Sequence, residues 1–127
     1  MPNRATAPHK LRIKRVYEPA GAADGLRVLV DRLWPRGLTK EKARIDLWLK
    51  EIAPSDTLRR LVHADPGKWN EFVAAYGSEL LHEPARTAAA QLRERLSRQP
   101  VTLLYAARNE AQNNAVALKA LMESSTE

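Results

Sequence analysis

Two runs of apolar, β-type residues limit what this chain can fold into: Leu26 to Asp31, LRVLVD, and Val101 to Ala107, VTLLYAA. Neither alternates with polar residues as a strand with one wet face does, so both belong inside a sheet that is covered on two sides. The stretch from 38 to 99 between them carries helical spacings, and it is long enough for a crossover that would make the two strands parallel. Each run also ends on charge, LRVLVDR in one case and TLLYAAR in the other. If the strands lie parallel, Asp31, Arg32, Arg36 and Arg108 meet at one sheet edge, where open α/β proteins place their ligands.

The remaining elements follow in order. Met1 to Lys10 has no period and reads as a flexible lead-in, residues 11–123 as a single α/β domain, and 124–127 as a frayed tail. Leu11 to Tyr17 alternates apolar and basic residues with the period of two of a half-buried strand. The loop Glu18 to Gly25, EPAGAADG, is shorter than the dozen or so residues of a parallel crossover, so local geometry favours a hairpin unless the first two strands are not neighbours. Thr39 is placed to cap a helix over 40–50, with Ala43 and Leu47 turned to the core and Pro54 closing the segment. Ser55 caps a short helix DTLRRLV, and Asp65-Pro66 starts another whose stripe is Trp69, Phe72, Val73, Tyr76 and Leu80. A helix runs from Pro84 to about Arg98, and Asn109 with Gln112 is a capping-box pair opening a last helix to about Met122. The sum is an α/β fold with a small, mostly parallel central sheet flanked by helices in three layers.

At 127 residues the chain suits one domain with its own core, and the absence of cysteine excludes disulfides, thiolate metal sites and Cys nucleophiles. No run approaches the roughly 18 apolar residues of a membrane span, and MPNRATAPHK lacks the apolar stretch of a signal peptide, so a cytoplasmic protein is expected. Twenty-one Lys and Arg against fifteen Asp and Glu leave a net charge of +6, dispersed rather than gathered into a basic block. Such a balance fits an anionic small-molecule site, nucleic acid, or simply a solvated basic surface.

Each candidate site residue carries two readings. Arg32, Arg36 and Arg108 are suited to a phosphate or carboxylate through their planar forks, with Asp31 as an acid/base group beside them; equally, Asp31 and one arginine make a structural ion pair. Trp34 and Tyr105 serve as walls for a ring or as core packing, and Gly37 as a positive-φ turn or a close approach to an anion. Asn113 and Asn114, in the first turn of the last helix, present amide donors to an anion or do ordinary capping. His63 is a candidate general acid or base, or an unremarkable histidine, and no His spacing suits a metal. No nucleophile elbow, phosphate-binding glycine loop or dinucleotide fingerprint is present, and no cofactor is implied.

Several separated blocks match a known family in order: VDRLWPRG at 30–37, WLKEIAPS at 48–55, Leu58-Arg59, a Trp-Asn-Glu-Phe followed by Tyr76, and TLLYAARNEAQNNA at 102–115. On these the chain resembles the YeaO-like branch of the domain of unknown function 488 family, from about Lys14 to Leu121. The resemblance implies a compact cytoplasmic α/β domain, mostly bacterial, with no activity attached. It also implies a parallel first strand, because relatives place a helix where this chain has its eight-residue loop.

The functional expectation is a pocket at the strand carboxyl ends that binds, and on one reading transforms, an anionic small molecule such as a nucleotide or phosphorylated metabolite. The alternatives are a nucleic-acid-binding module using the +6 charge, or a partner-binding domain whose arginines only solvate it. Composition and spacing leave the oligomeric state open.

Overall fold

The computed structural model describes residues 10–124, apart from the side chain of His63; the lead-in up to residue 9 and the tail from 125 lie outside the described residues. Four strands, β1 (Leu11–Arg15), β2 (Leu26–Leu29), β3 (Leu47–Trp48) and β4 (Val101–Tyr105), form one sheet in the order β1-β4-β2-β3. Every pairing is parallel, β4 running beside β1 from Leu11 opposite Val101 and beside β2 from Leu26 opposite Val101. Five helices accompany it: α1 (Lys40–Ala43), α2 (Asp56–Ala64), α3 (Trp69–Glu79), α4 (Ala85–Leu96) and α5 (Asn114–Ser124). This is the expected small, parallel, three-layer α/β arrangement.

The short first loop makes no hairpin, because β4 lies between β1 and β2. The chain returns past β4 and fastens to its start: Thr102 donates its hydroxyl to the Asp24 carbonyl at 2.7 Å, and the Leu26 N–H donates to Pro100 O at 2.9 Å. Gly25 is required at this crossing, with φ at +65° and no room for a Cβ against the Pro100 carbonyl. Non-adjacent strands thus need no helix to be parallel.

The helix expected over 40–50 stops at Ala43. Arg44 turns left-handed at φ 53°, and Leu47–Trp48 become edge strand β3. Leu47, Trp48 and Leu49 point alternately to the two sheet faces, and β2 offers an open edge. Asp46 secures the join, its N–H donating to Arg27 O and its carboxylate accepting the Arg27 N–H, both at 2.9 Å. Period-two and period-3.6 patterns overlap in so short an apolar run, and the free edge of β2 decides between them.

Helices α2 to α5 cover one sheet face, where Val28, Val30, Leu103 and Tyr105 pack with Phe72, Tyr76, Leu92 and Leu118. Removing a core side chain of this size from water stabilises the fold by about 1.5–3 kcal/mol. The opposite layer is thin: Val16, Leu29 and Leu104 lie under Ala43, Ile45, Trp34, Leu38 and Trp48. Helix α5 begins later than expected. Asn109 closes a turn, accepting from the Ala111 and Gln112 N–H groups at 2.9 Å, and Asn113 is the group that caps α5 by accepting from Val116 N–H at 2.9 Å.

Candidate functional site

Because β2 and β4 are adjacent and parallel, the residues that follow them emerge side by side at the carboxyl edge. They open onto a cleft of about 690 Å³. Its walls are Asp31, Arg32, Leu33 and Trp34 after β2, Ala106 to Asn109 after β4, and Gln112, Asn113 and Asn114 at the start of α5. The opposite side comes from Ala53, Pro54, Asp56, Arg59, Val62, Pro66 and Phe72. The cleft therefore joins cationic and carboxamide groups to an apolar wall, a usual composition for a small-molecule site.

Asp31 lies at the floor and ties three elements together. Its Oδ2 accepts the Ala106 N–H at 2.9 Å and its own carbonyl accepts Trp48 Nε1–H at 2.7 Å. Asn114 in turn donates to Val30 O at 2.9 Å, pinning α5 to the end of β2. Burial raises the Asp31 carboxyl above its ordinary pKa, outweighing the Ala106 hydrogen bond, the nearby Asn114 amide and the positive charge of Arg59. Among the described residues no arginine ion-pairs with it within 4.0 Å, so the structural ion pair that the sequence also allowed is not formed.

Arg32 is held in place by backbone. Its Nη2 donates to Ala53 O at 3.3 Å and Pro54 O at 3.2 Å. That segment is itself fixed to α3, where the Tyr76 hydroxyl donates to Ile52 O at 2.6 Å and Glu79 accepts the Ser55 N–H at 2.9 Å. Full burial pushes the Tyr76 phenol far above its ordinary range, so it stays a neutral donor. Arg59 is tied to Asp56 at 2.7 Å, whereas Arg108 stands exposed on the β4 side of the cleft.

The expected site residues divide. Asp31, Arg32, Trp34, Arg108, Asn113 and Asn114 share the cleft. Arg36, Gly37 and Tyr105 are not part of its wall. Arg36 and Gly37 sit on the exposed outer loop, where the Arg36 carbonyl accepts the Tyr17 hydroxyl at 3.0 Å and Gly37 takes φ 80° with open space around its α-carbon. Tyr105 points into the helix-covered core with Val101 and Leu103, on the same face of β4 and off the cleft lining. Trp34 is half-buried, donates Nε1–H to Leu38 O at 2.7 Å, and meets Trp48 edge-on with centroids 5.2 Å apart, so it combines packing with a place on the cleft rim. His63 belongs to α2, and its side chain lies outside the described residues. Arg59 and the Pro54 side of the cleft reach it only through the packing of α2 and the segment before it against the strand ends, whereas Asn109 and Gln112 come from the turn between β4 and α5, where their capping-box pattern gave no sign of a cleft.

Curated relatives match along most of the chain. It is 44% identical over 109 residues to the Escherichia coli protein named Uncharacterized protein YeaO, covering 85% of this chain and 92% of that protein. It is 42% identical over 113 residues to the Mycobacterium tuberculosis protein Uncharacterized protein Rv3073c, covering 89% of this chain and 93% of that one. No solved structure matches it. A family model described as the inactive DUF488-N3 subclade matches residues 10–127, and the chain therefore belongs to that family, as a YeaO-like member.

Proposed function

We propose that this chain is a cytoplasmic binding protein whose cleft at the carboxyl ends of β2 and β4 holds an anionic small molecule, such as a nucleotide or another phosphorylated metabolite, without transforming it. One observation carries the reading: Arg32 and Arg108, from two different strand ends, face the same 690 Å³ cleft, and among the described residues neither is in an ion pair within 4.0 Å. A guanidinium with uncommitted N–H groups beside an apolar wall is suited to bidentate capture of phosphate or carboxylate.

Binding without turnover is favoured on two grounds. The subclade is described as inactive. The acid/base candidate, Asp31, accepts the Ala106 N–H, a contact that holds the end of β2 to the end of β4. Isothermal titration with AMP and ribose 5-phosphate tests the reading. Arg32→Ala and Arg108→Ala should each weaken binding by about tenfold or more, as expected for one charge-assisted contact. Unchanged affinity in both variants would overturn it.

A further inference from the structure

Asp31 shares the cleft with the arginines, and what it demands of a ligand differs from what they demand. Its carboxylate already receives one donor from the protein, the Ala106 N–H at 2.9 Å, while the neighbouring Asn114 amide is spent on Val30 O. That hydrogen bond favours the ionised carboxylate, and burial works against it. A carboxylate has about four acceptor positions, so capacity remains on the side that opens to the cleft. Among the described residues no arginine forms an ion pair with it.

A ligand that fills the cleft shields this carboxylate from solvent. Nothing is lost if the ligand places a hydrogen-bond donor against the carboxylate. A ligand that brings only an anion or an apolar surface leaves a charge both desolvated and unpaired. We infer that Asp31 is the specificity-determining residue of this cleft, restricting it to anions that also carry a hydroxyl or N–H donor, the anionic group lying toward Arg32 and Arg108 and the donor toward Asp31. Burial of the Asp31 carboxyl supports the same conclusion, since the protein alone solvates it incompletely.

This inference rests on the anion-binding reading, and a matched pair of phosphates separates the two. Ribose 5-phosphate and cyclopentylmethyl phosphate share a five-membered ring and a phosphate, and the second lacks the hydroxyl groups. By titration calorimetry the native chain should bind ribose 5-phosphate at least about tenfold more tightly, the worth of one hydrogen bond to a charged group. Asp31→Asn, which keeps the side-chain shape and an acceptor for the Ala106 N–H, should bring the two affinities within about threefold, mainly by admitting the cyclopentyl compound. Should that variant not fold, Asp31→Glu takes its place and must weaken ribose 5-phosphate selectively. Equal binding of both phosphates by the native chain, or a preference that survives Asp31→Asn, overturns the inference and leaves the anion site standing. Failure of both phosphates to bind removes the anion site and the inference with it.

Discussion

Strand β2 carries a carboxylate and an arginine at each of its ends, and the two pairs behave in opposite ways. At the amino end, Asp24 and Arg27 are 5% and 4% exposed and joined at 2.6 Å, with Lys14 a second partner of Asp24 at 3.1 Å. Each Arg27 nitrogen has a partner, Nη1 on Asp24, Nε on Arg44 O at 3.0 Å and Nη2 on Ala43 O at 2.8 Å, while Gly21 N–H closes on Asp24 at 3.0 Å. Both groups are buried, away from any ligand. At the carboxyl end, Asp31 and Arg32 bind backbone groups rather than each other, and both border open space. The same two residue types thus lock the thin second layer to the sheet in one place and leave unsatisfied capacity in the other. Saturation of hydrogen-bonding capacity, rather than the presence of charge, separates a structural cluster from a candidate site.

That contrast can be broken most forcefully at Asp24. Asp24→Ala leaves the buried Arg27 guanidinium without its counter-charge, and the loss should be about 3–5 kcal/mol, read as a lowered urea midpoint. A loss under about 1 kcal/mol would mean that the amino-end cluster is no more structural than the cleft. Arg32→Ala should do far less to stability, about 1 kcal/mol or less, because an exposed side chain gives up only two long hydrogen bonds to carbonyls. Equal stability losses at Asp24 and Arg32 would erase the distinction.

The two carboxylates should also differ in the sign of their pH dependence, the smallest of these effects. Burial works to raise the Asp24 pKa, but the Gly21 N–H, Lys14 and Arg27 outweigh it and hold the group below 3.8. Its contribution is present above 3.8 and is lost as pH falls through the lowered value. The raised Asp31 pKa acts the other way. The folded state holds that proton more tightly than the unfolded chain, so its contribution is present below 3.8 and is lost as pH rises through the raised value. Urea stability measured across that acid range should therefore decline less with rising pH in Asp31→Asn than in the native chain. An identical slope in the two proteins would show that Asp31 does not titrate as its burial requires.

Much of this architecture was legible along the chain wherever one pattern spanned enough residues to exclude others. The continuous runs before Asp31 and Arg108 read as buried strands, and Ser55 and the Phe72–Tyr76 stripe marked helices that exist. Short or ambiguous stretches misled. Residues 47–49 fit two periods, and the Asn109 turn has the residues of a capping box without opening the helix, whose cap is Asn113. The Arg27–Asp24 lock gave no signal, because an arginine inside an apolar run looks alike whether it is saturated or free.

The sequence by itself determined that β2 and β4 are buried strands and that each delivers charge at its carboxyl end, since hydrophobic period and strand polarity are properties of local chain. Tertiary structure alone decided that β4 sits between β1 and β2, that Asp31 and Arg108 consequently share a cleft, and that Arg36, Gly37 and Tyr105 stay out of it. Strand order depends on which edges find backbone partners across the whole chain, and a loop or strand residue faces a cleft only after the neighbouring layers have taken their places.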